Sequence, residues 1–278
     1  MAKNLIIGGF TNYGINQLKP WVLSVKEVAS DNTDIVLVAG NTTTETLIWL
    51  DKQGVIVFPM IEEVGVPIHV LRFLSIYDFL RNTTELYDYV VTTDVKDVYF
   101  QADPFLFLKS RKLVIASEGL IYKDEPWGND NLLGAYGSYV HGLFNNNEIF
   151  NVGTFGGQAE YVKDMVFHIF TNGINRPIPI VDQAVFNVLI NTQPFKDIVT
   201  KTKQWAAELG TIMDPTKIEQ FRPNLLIDEP SFEHGILKDY TGRIFPIVHQ
   251  YDRVPEIKKF VQERYGQEDE SLYFTYKT

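Results

Sequence analysis

The amino-acid sequence predicts an α/β protein whose central sheet is mainly parallel and carries helices on both faces. Three observations lead there. Short apolar runs recur along the first half of the chain without the alternation of a half-exposed strand, as in Leu5–Phe10, Asp34–Ala39 and Tyr87–Thr92; strands buried on both faces read this way. Segments of helical length, with apolar residues at helical spacing, separate these runs, as β-α-β units require. The 278 residues are 45% hydrophobic and 13% aromatic, enough to bury a large core without a disulfide or metal staple.

Leu5–Phe10 reads as the first strand and ends in the turn-rich Thr11-Asn12-Tyr13-Gly14. Asn16–Ala29 follows as a helix with Leu18, Trp21, Val22, Val25 and Val28 on its apolar face. Asp34–Ala39 is a strand closed by Gly40, Thr44–Gln53 a short helix ending at Gly54, and Val55–Phe58 another strand. His69–Arg81 places Leu71, Leu74, Phe79 and Leu80 on one helical face, and Tyr87–Thr92 and Leu113–Ser117 are further strands. Residues 1–120 thus form a Rossmann-like, nucleotide-binding arrangement.

The second half is less regular. Glu148–Gly157 reads as a strand ending in two glycines, and Ala159–Thr171 and Val181–Asn191 as helices set apart by Pro177 and Pro179. Ile121–Asn147 reads as a loop-rich stretch holding Tyr122, Trp127, Tyr136 and Tyr139, aromatics that suit sugar stacking or plain core packing. Strands are expected near Asn224–Asp228 and Arg243–His249, then a last helix, Val254–Arg264, with Pro255 near its start, where proline is tolerated. This half is expected to build the far side of a cleft and return to the sheet, not to stand as an independent domain.

With no cysteine, a disulfide scaffold, Cys-liganded zinc and thiol catalysis are excluded, and a reducing, cytoplasmic compartment is expected. The opening residues Met1–Phe10 are not expected to be a signal peptide, because their apolar stretch is short and glycines and polar residues follow at once. The most apolar region, Val55–Leu74, is broken by Pro59, Glu62, Glu63 and Pro67, so no membrane span of roughly 18 residues is expected. A net charge of −10 argues against nucleic acid as a partner, since phosphate-backbone binding needs a basic face.

Chemistry concentrates in Tyr89-Val90-Val91-Thr92-Thr93-Asp94-Val95-Lys96-Asp97, which continues as Val98-Tyr99-Phe100-Gln101-Ala102-Asp103-Pro104-Phe105. An apolar strand runs straight into two carboxylates, and ligand sites in open α/β sheets lie at the carboxyl ends of strands. A tight turn aims both acids at one point, and hard oxygen ligands suit Mg²⁺ or Mn²⁺. Taken alone, an Asp-x-x-Asp is better read as a turn or helix N-cap with a solvated second acid; the strand before it and Asp103-Pro104-Phe105 after it favour the ligand site.

This run resembles the DxD-type motif of GT-A glycosyltransferases, several families of which follow the motif with a short apolar strand and Asp-Pro. The spacing differs by one residue, Asp-x-x-Asp for Asp-x-Asp. The resemblance extends in order over most of the chain and is also similar to compact glycosyltransferase domains of large algal viruses. It implies a single GT-A domain over residues 1–278, with 1–120 the nucleotide-binding half and 121–278 a smaller acceptor-side lobe. It implies an enzyme that transfers a hexosyl or deoxyhexosyl group from a nucleotide diphosphate, with a UDP-sugar the default donor, to a carbohydrate acceptor, using Mn²⁺ or Mg²⁺.

Carried onto this sequence, the resemblance assigns Asp97 to the metal, Asp94 to the metal or the donor ribose, and His249 to the metal as a further ligand. Phe10, Thr11 and Asn12 are expected beside the nucleobase, Val95 beside the donor with Asp94, and Arg72 against donor phosphate or sugar. Asn151 and Gly153, in Phe150-Asn151-Val152-Gly153-Thr154-Phe155-Gly156-Gly157, match the Asn-x-Gly strand that lines the donor sugar. Asp182 and Gln183 match an Asp-Gln helix start, with Asp182 facing the reacting carbon; an aspartate there is equally an N-cap. Glu118, at a strand end that faces the cleft, is a weaker candidate. The Asn-x-Gly and Asp-Gln pair resemble retaining families, so retention is expected. The alternatives are a sugar-nucleotide-binding protein without catalysis, and a nucleotidyltransferase. Against the latter, Gly8-Gly9-Phe10-Thr11-Asn12 is short for a phosphate loop and lacks its basic residue.

Overall fold

The computed structural model describes residues 2–61 and 65–268; Glu62 and Glu63 lie outside the described residues. The first half runs β1 (Lys3–Phe10), α1 (Ile15–Val28), β2 (Thr33–Ala39), α2 (Thr44–Lys52), β3 (Ile56–Pro59), α3 (Ile68–Asn82), β4 (Tyr87–Thr93), β5 (Val98–Phe100), α4 (Phe105–Leu108) and β6 (Leu113–Ile121). The second half runs α5 (Pro126–Phe144), β7 (Glu148–Gln158), α6 (Ala159–Gly173), α7 (Asp182–Ile190), β8 (Val199–Thr202), β9 (Ala206–Glu208), α8 (Leu209–Ile212), α9 (Ile218–Phe221), β10 (Ser231–Glu233), β11 (Ile236–Lys238), β12 (Ile247–His249) and α10 (Pro255–Tyr265).

Seven strands form the main sheet in the order β3-β2-β1-β4-β7-β6-β8. Their pairings are parallel except where β7 meets β4 and β6, so the expected mainly parallel α/β architecture is found. Successive strand residues point to opposite faces, and both faces are buried. Leu5, Ile7, Val36, Val38 and Val90 pack with residues of α3, α6 and α7. Ile6, Ile35, Leu37 and Val91 pack with Trp21, Val22 and Val25 of α1 and with Trp205 and Ile247. Continuous apolar strands are the consequence. A small sheet, β5-β12-β9, brings the late strand β12 back to the residues that follow β4, and its surroundings form a third cluster with α8 and α10.

Three expectations are corrected. Ile121–Asn147 is mostly helical: a 3-10 turn at Tyr122–Asp124 leads into α5. The Glu125 carboxylate caps α5 by accepting from the Trp127 and Gly128 amides, and Pro126 occupies its first turn. Gly128, Gly134, Gly137 and Gly142 weaken the helical signal in the sequence, and Gly137 sits at a kink with φ 76°. Asn224–Asp228 is not a strand: Arg222–Asn224 is a 3-10 turn, and Leu226 N donates to Gly119 O without a ladder following. Of Arg243–His249 only Ile247–His249 pairs as a strand, because Pro246 has no N–H to give. Among the described residues, no helix is long and apolar enough to cross a membrane.

The glycines of β7 hold the centre of the sheet. Gly156 stands opposite Val91 and Val114, and Gly157 opposite Val90 and Leu113. A Cβ on Gly157 would overlap the Lys112 carbonyl, and one on Gly156 would lie 2.9 Å from Val90 O and 3.2 Å from the Trp205 ring. This end of β7 is packing, not ligand surface. Gly157→Ala is therefore expected to destabilise the protein by roughly 1–3 kcal/mol, read as a lower urea midpoint at unchanged slope; an unshifted midpoint would refute the packing account.

Candidate active site

The end of β4 is fixed from below before it reaches its acids. Trp21 Nε1 donates to Thr93 Oγ1 at 2.8 Å within the core. Asp94 N donates to Gly153 O at 2.7 Å, so the first acid is tied to β7. The chain then turns through Val95 and Lys96 to Asp97 and enters β5. In the small sheet His249 of β12 lies opposite Val98 of β5 and Glu208 of β9. That register carries a residue from near the end of the chain to the acids of β4.

Asp94, Asp97 and His249 each offer one ligand atom, all within 4.8 Å of one another. His249 Nε2 lies 3.5 Å from Asp94 Oδ2 and 3.6 Å from Asp97 Oδ1. Its Nδ1 meets Glu208 Oε2 at 2.6 Å, which orients the ring and leaves Nε2 for the cluster. Glu208 is fully buried, and its other oxygen accepts from the Thr154 hydroxyl. Two carboxylates and one imidazole converging on a point, with a carboxylate behind the imidazole, form a donor set that fits a hard divalent cation.

Arg72 of α3 spans the next gap. It pairs with Asp94 through Nη1 and with Asp182 of α7 through Nη2, the latter at 3.1 Å. Its guanidinium lies 4.7 Å from the Phe73 ring centre. Two glycines let these parts approach: a Cβ on Gly8 would lie 2.5 Å from Val95 Cγ2, and one on Gly9 would lie 3.2 Å from Arg72 Cβ. Gly153 serves similarly, since a Cβ there would lie 2.5 Å from His249 Cε1 and 2.9 Å from Asp94 Oδ2.

Two pockets meet at Arg72 and Asp94. One, of about 280 Å³, is lined by Phe10, Thr11, Tyr13, Val95, Lys96 and Asp97, among others. The other, of about 350 Å³, has Glu118, Asn151, Asp182, Gln183 and His249 in its wall, with Trp127, Lys217 and Arg253 as exposed residues. In the second, Glu118 Oε1 accepts from Asn151 Nδ2 at 2.7 Å and from Gln183 Nε2 at 2.6 Å. Asn151 Oδ1 accepts from Gly153 N at 2.7 Å, and Gln183 Oε1 from Val152 N at 3.1 Å. The wall is thus one network across β6, β7 and α7. A larger cavity, about 510 Å³ and lined by Lys201, Lys203, Asp239 and Tyr240 among others, does not include the Asp94–Asp97–His249 cluster, so chemistry rather than size singles out the site.

The charges follow from this packing. Burial alone would raise the Asp94 pKa, but Arg72 and His249 outweigh it and hold the acid well below the usual carboxylate range. Asp97 lacks the arginine; burial, with Asp94 and Asp252 nearby, pushes it up to about 6 against the pull of His249. Burial works against a charge on His249, yet Glu208, Asp97 and Asp94 raise its pKa well above 6.5. Burial also raises Asp182, with Arg72 opposing. Glu118 is pushed up to about 7 by burial, the Gln183 hydrogen bond opposing and Glu208 and Glu125 adding to the rise.

The residues singled out in the sequence mostly meet. Asp94, Asp97 and His249 form the cluster, with Gly153 beneath it; Arg72, Asp182, Asn151 and Gln183 line the adjoining pocket, and Phe10, Thr11 and Val95 the other. Asn12 is the exception: its Oδ1 accepts from Asn41 Nδ2 at 2.7 Å, and it is not among the lining residues. Glu208 went unnoticed in the sequence, although an acid inside the apolar run Trp205-Ala206-Ala207-Glu208-Leu209 is the kind of buried charge that needs a partner.

No protein-family model matches the chain, and no curated protein matches it in sequence. Among solved structures, the apo structure of WbbM, a bifunctional glycosyltransferase, shares the fold with a TM-score of 0.60 at 13% identity. The match covers 99% of this chain and 51% of that one, so this chain spans about half the length of that protein.

The Glu118 environment yields a pH-dependent stability. Its pKa is raised from 4.5 to about 7, so its contribution is fully present below about pH 4.5 and is lost as pH rises through 7. Glu118→Gln keeps a carbonyl for both amides and removes that titration. Relative to the parent, the variant is expected to gain on the order of 3 kcal/mol between pH 4.5 and 8. Parallel chemical denaturation curves across that range check it, and a pH-independent difference would contradict it.

Proposed function

We propose that the protein is a metal-dependent glycosyltransferase of the GT-A kind, moving a sugar from a nucleotide diphosphate, a UDP-sugar by default, to a carbohydrate acceptor. The observation that carries this reading is the convergence of Asp94, Asp97 and His249 within 4.8 Å, at the carboxyl end of β4 and at the junction of two pockets. The fold shared with a glycosyltransferase supports it.

In this reading Asp97, His249 and Asp94 hold Mn²⁺ or Mg²⁺, with Glu208 fixing the imidazole. When bound, the cation supplies charge neutralisation for the donor's phosphates as the glycosidic bond breaks. The excess of carboxylates over cations among these buried groups favours such an ion. Phe10, Thr11 and Val95 are on the nucleotide side; the Phe10 and Tyr13 rings stack with centroids 6.2 Å apart, which suits a neighbouring base. Arg72 adds positive charge between the phosphates and the sugar. Asn151, Gly153, Asp182 and Gln183 line the sugar. Both Asp182 oxygens are engaged, one by Arg72 and one by Gln183 N at 3.1 Å, so its part is electrostatic support of developing positive charge, consistent with the retention we propose. Residues 1–120 form the nucleotide half and 121–278 the acceptor half of one catalytic unit. A cytoplasmic location belongs to the same proposal, in keeping with a chain free of cysteine.

Isothermal titration of UDP, GDP and UDP-sugars with and without Mn²⁺ tests the donor site. One nucleotide is expected to bind in a metal-dependent way, and Asp97→Ala to lose that binding while keeping its fold by circular dichroism. Absence of nucleotide binding under every metal condition would sink the reading. Slow metal-dependent hydrolysis of the bound donor separates an enzyme from a binding protein.

Glu208→Gln isolates the support behind His249. It is expected to weaken Mn²⁺ binding roughly 10–100-fold, measured by Mn²⁺ electron paramagnetic resonance titration without any substrate. Unchanged affinity would mean that His249 is not a ligand or needs no orientation.

A further inference from the structure

The carboxylates around the larger of the two meeting pockets differ in what their oxygens have left to give. Glu125 uses both to cap α5. Asp182 uses one on Arg72 and the other on Gln183 N. Asp94 uses one on Arg72 and turns the other toward His249. Glu118 commits Oε1 alone, to the two amides at 2.7 and 2.6 Å. Its Oε2 accepts no hydrogen bond among the described residues and is not a buried orphan, so it is left to the pocket that Glu118 lines.

This placement is held firmly. Glu118 comes from β6, Asn151 from β7 and Gln183 from α7, and the Glu118 carbonyl accepts from the Thr211 hydroxyl at 2.5 Å. Two other segments hold its carboxylate and a third its backbone, and the residue is 7% exposed. Its amide partners are the residues read above as lining the transferred sugar. A fixed carboxylate oxygen with an empty acceptor position calls for a donor, and a sugar hydroxyl is the donor that this location offers.

The distribution of charge decides which sugars suit it. Glu118 and Asp182 lie buried in the wall, and the cationic groups beside them are already engaged: the partly buried Arg72 by Asp94 and Asp182, and His249 by Asp94, Asp97 and Glu208. His69, Lys217 and Arg253 also line the pocket but are exposed, where solvent screens them. A carboxylate on the sugar would meet this acid wall, where Arg72 and His249 are already engaged by acids.

We propose that Glu118 reads the transferred sugar: its Oε2 accepts a hydrogen bond from a sugar hydroxyl, and its charge selects neutral sugars over uronic acids. This rests on the glycosyltransferase reading of the site. Glu118 is a substrate-contacting, specificity-determining residue, and the side-chain hydrogen bonds of its carboxylate go to Asn151 and Gln183, not to Asp94, Asp97 or His249.

The test is isothermal titration at pH 8 with Mn²⁺, comparing the parent and Glu118→Gln toward UDP, UDP-glucose, UDP-galactose, UDP-N-acetylglucosamine and UDP-glucuronate. If GDP is the nucleotide that binds, GDP-mannose and GDP-mannuronate take their place. Thermal melts confirm that the variant folds. UDP is expected to bind both proteins within about twofold. The best neutral donor should bind the parent about tenfold more tightly than the variant, the size of one hydrogen bond to a charged group. UDP-glucuronate should bind the parent about tenfold more weakly than that neutral donor, with the gap closing in the variant. If the neutral-to-acidic ratio is the same in both proteins, or if no neutral sugar binds the parent better than UDP does, Glu118 does not read the sugar and the donor site stands. If the parent binds no nucleotide, the donor site itself fails and this inference falls with it.

Discussion

The site depends on one constraint: several carboxylates are gathered at the edge of a buried sheet with too few cations to neutralise them. Asp94, Asp97, Glu208, Glu118 and Asp182 are brought together around Arg72 and His249. Buried charge is tolerated only when it is paired and hydrogen-bonded. The structure meets this demand by sharing. Arg72 serves two acids from different elements, and His249 stands among three. Asp97, which has only a share in the imidazole, is the cluster acid whose pKa rises, to about 6. The remaining deficit of positive charge is what a divalent cation would supply.

The fold bears on the site through the same contacts. β7 runs against its neighbours, and its two ends do different work. At one end Gly156 and Gly157 let β4 and β6 close on it without side chains between them. At the other, Asn151 gives its amide to Glu118, Gly153 lays bare backbone against His249 and Asp94, and Gly153 O receives the Asp94 amide. The sheet register and the position of the acids are therefore one problem. A slip of β7 by one residue would exchange the faces of Asn151 and Val152 and break the Glu118 network.

How much of this was legible in the sequence depends on how local each feature is. The strands and helices of the first half were readable because double burial imposes continuous apolar runs, and helix periodicity separates them cleanly. Asp94 and Asp97 were readable because both acids sit on one turn after one strand. α5 was missed because its glycines dilute helix propensity, and what starts it is the cap made by Glu125 together with Pro126. The strand expected at 224–228 is an apolar run of three, Leu225, Leu226 and Ile227, shortly after Pro223; composition there resembles a strand, but no strand pairs with it among the described residues. His249 was suggested only by resemblance, whereas its neighbour Glu208 could be placed only by the pairing of β12 with β9, a contact between segments 41 residues apart.

The fixed position of Glu208 has a further consequence for how the cluster works as a unit. Glu208, Asp97 and Asp94 all favour the charged form of His249 and raise its pKa well above 6.5 against the effect of burial. A ligand nitrogen must be neutral to coordinate, so a cation held by Asp94, Asp97 and His249 would take the place of a proton at Nε2 and supply the positive charge that the two acids need. Nδ1 is already held by Glu208 Oε2 at 2.6 Å, so the buried glutamate would orient the ring with either charge at Nε2. Such an arrangement would let either a proton or a cation compensate the acids that β4 and β9 bring together.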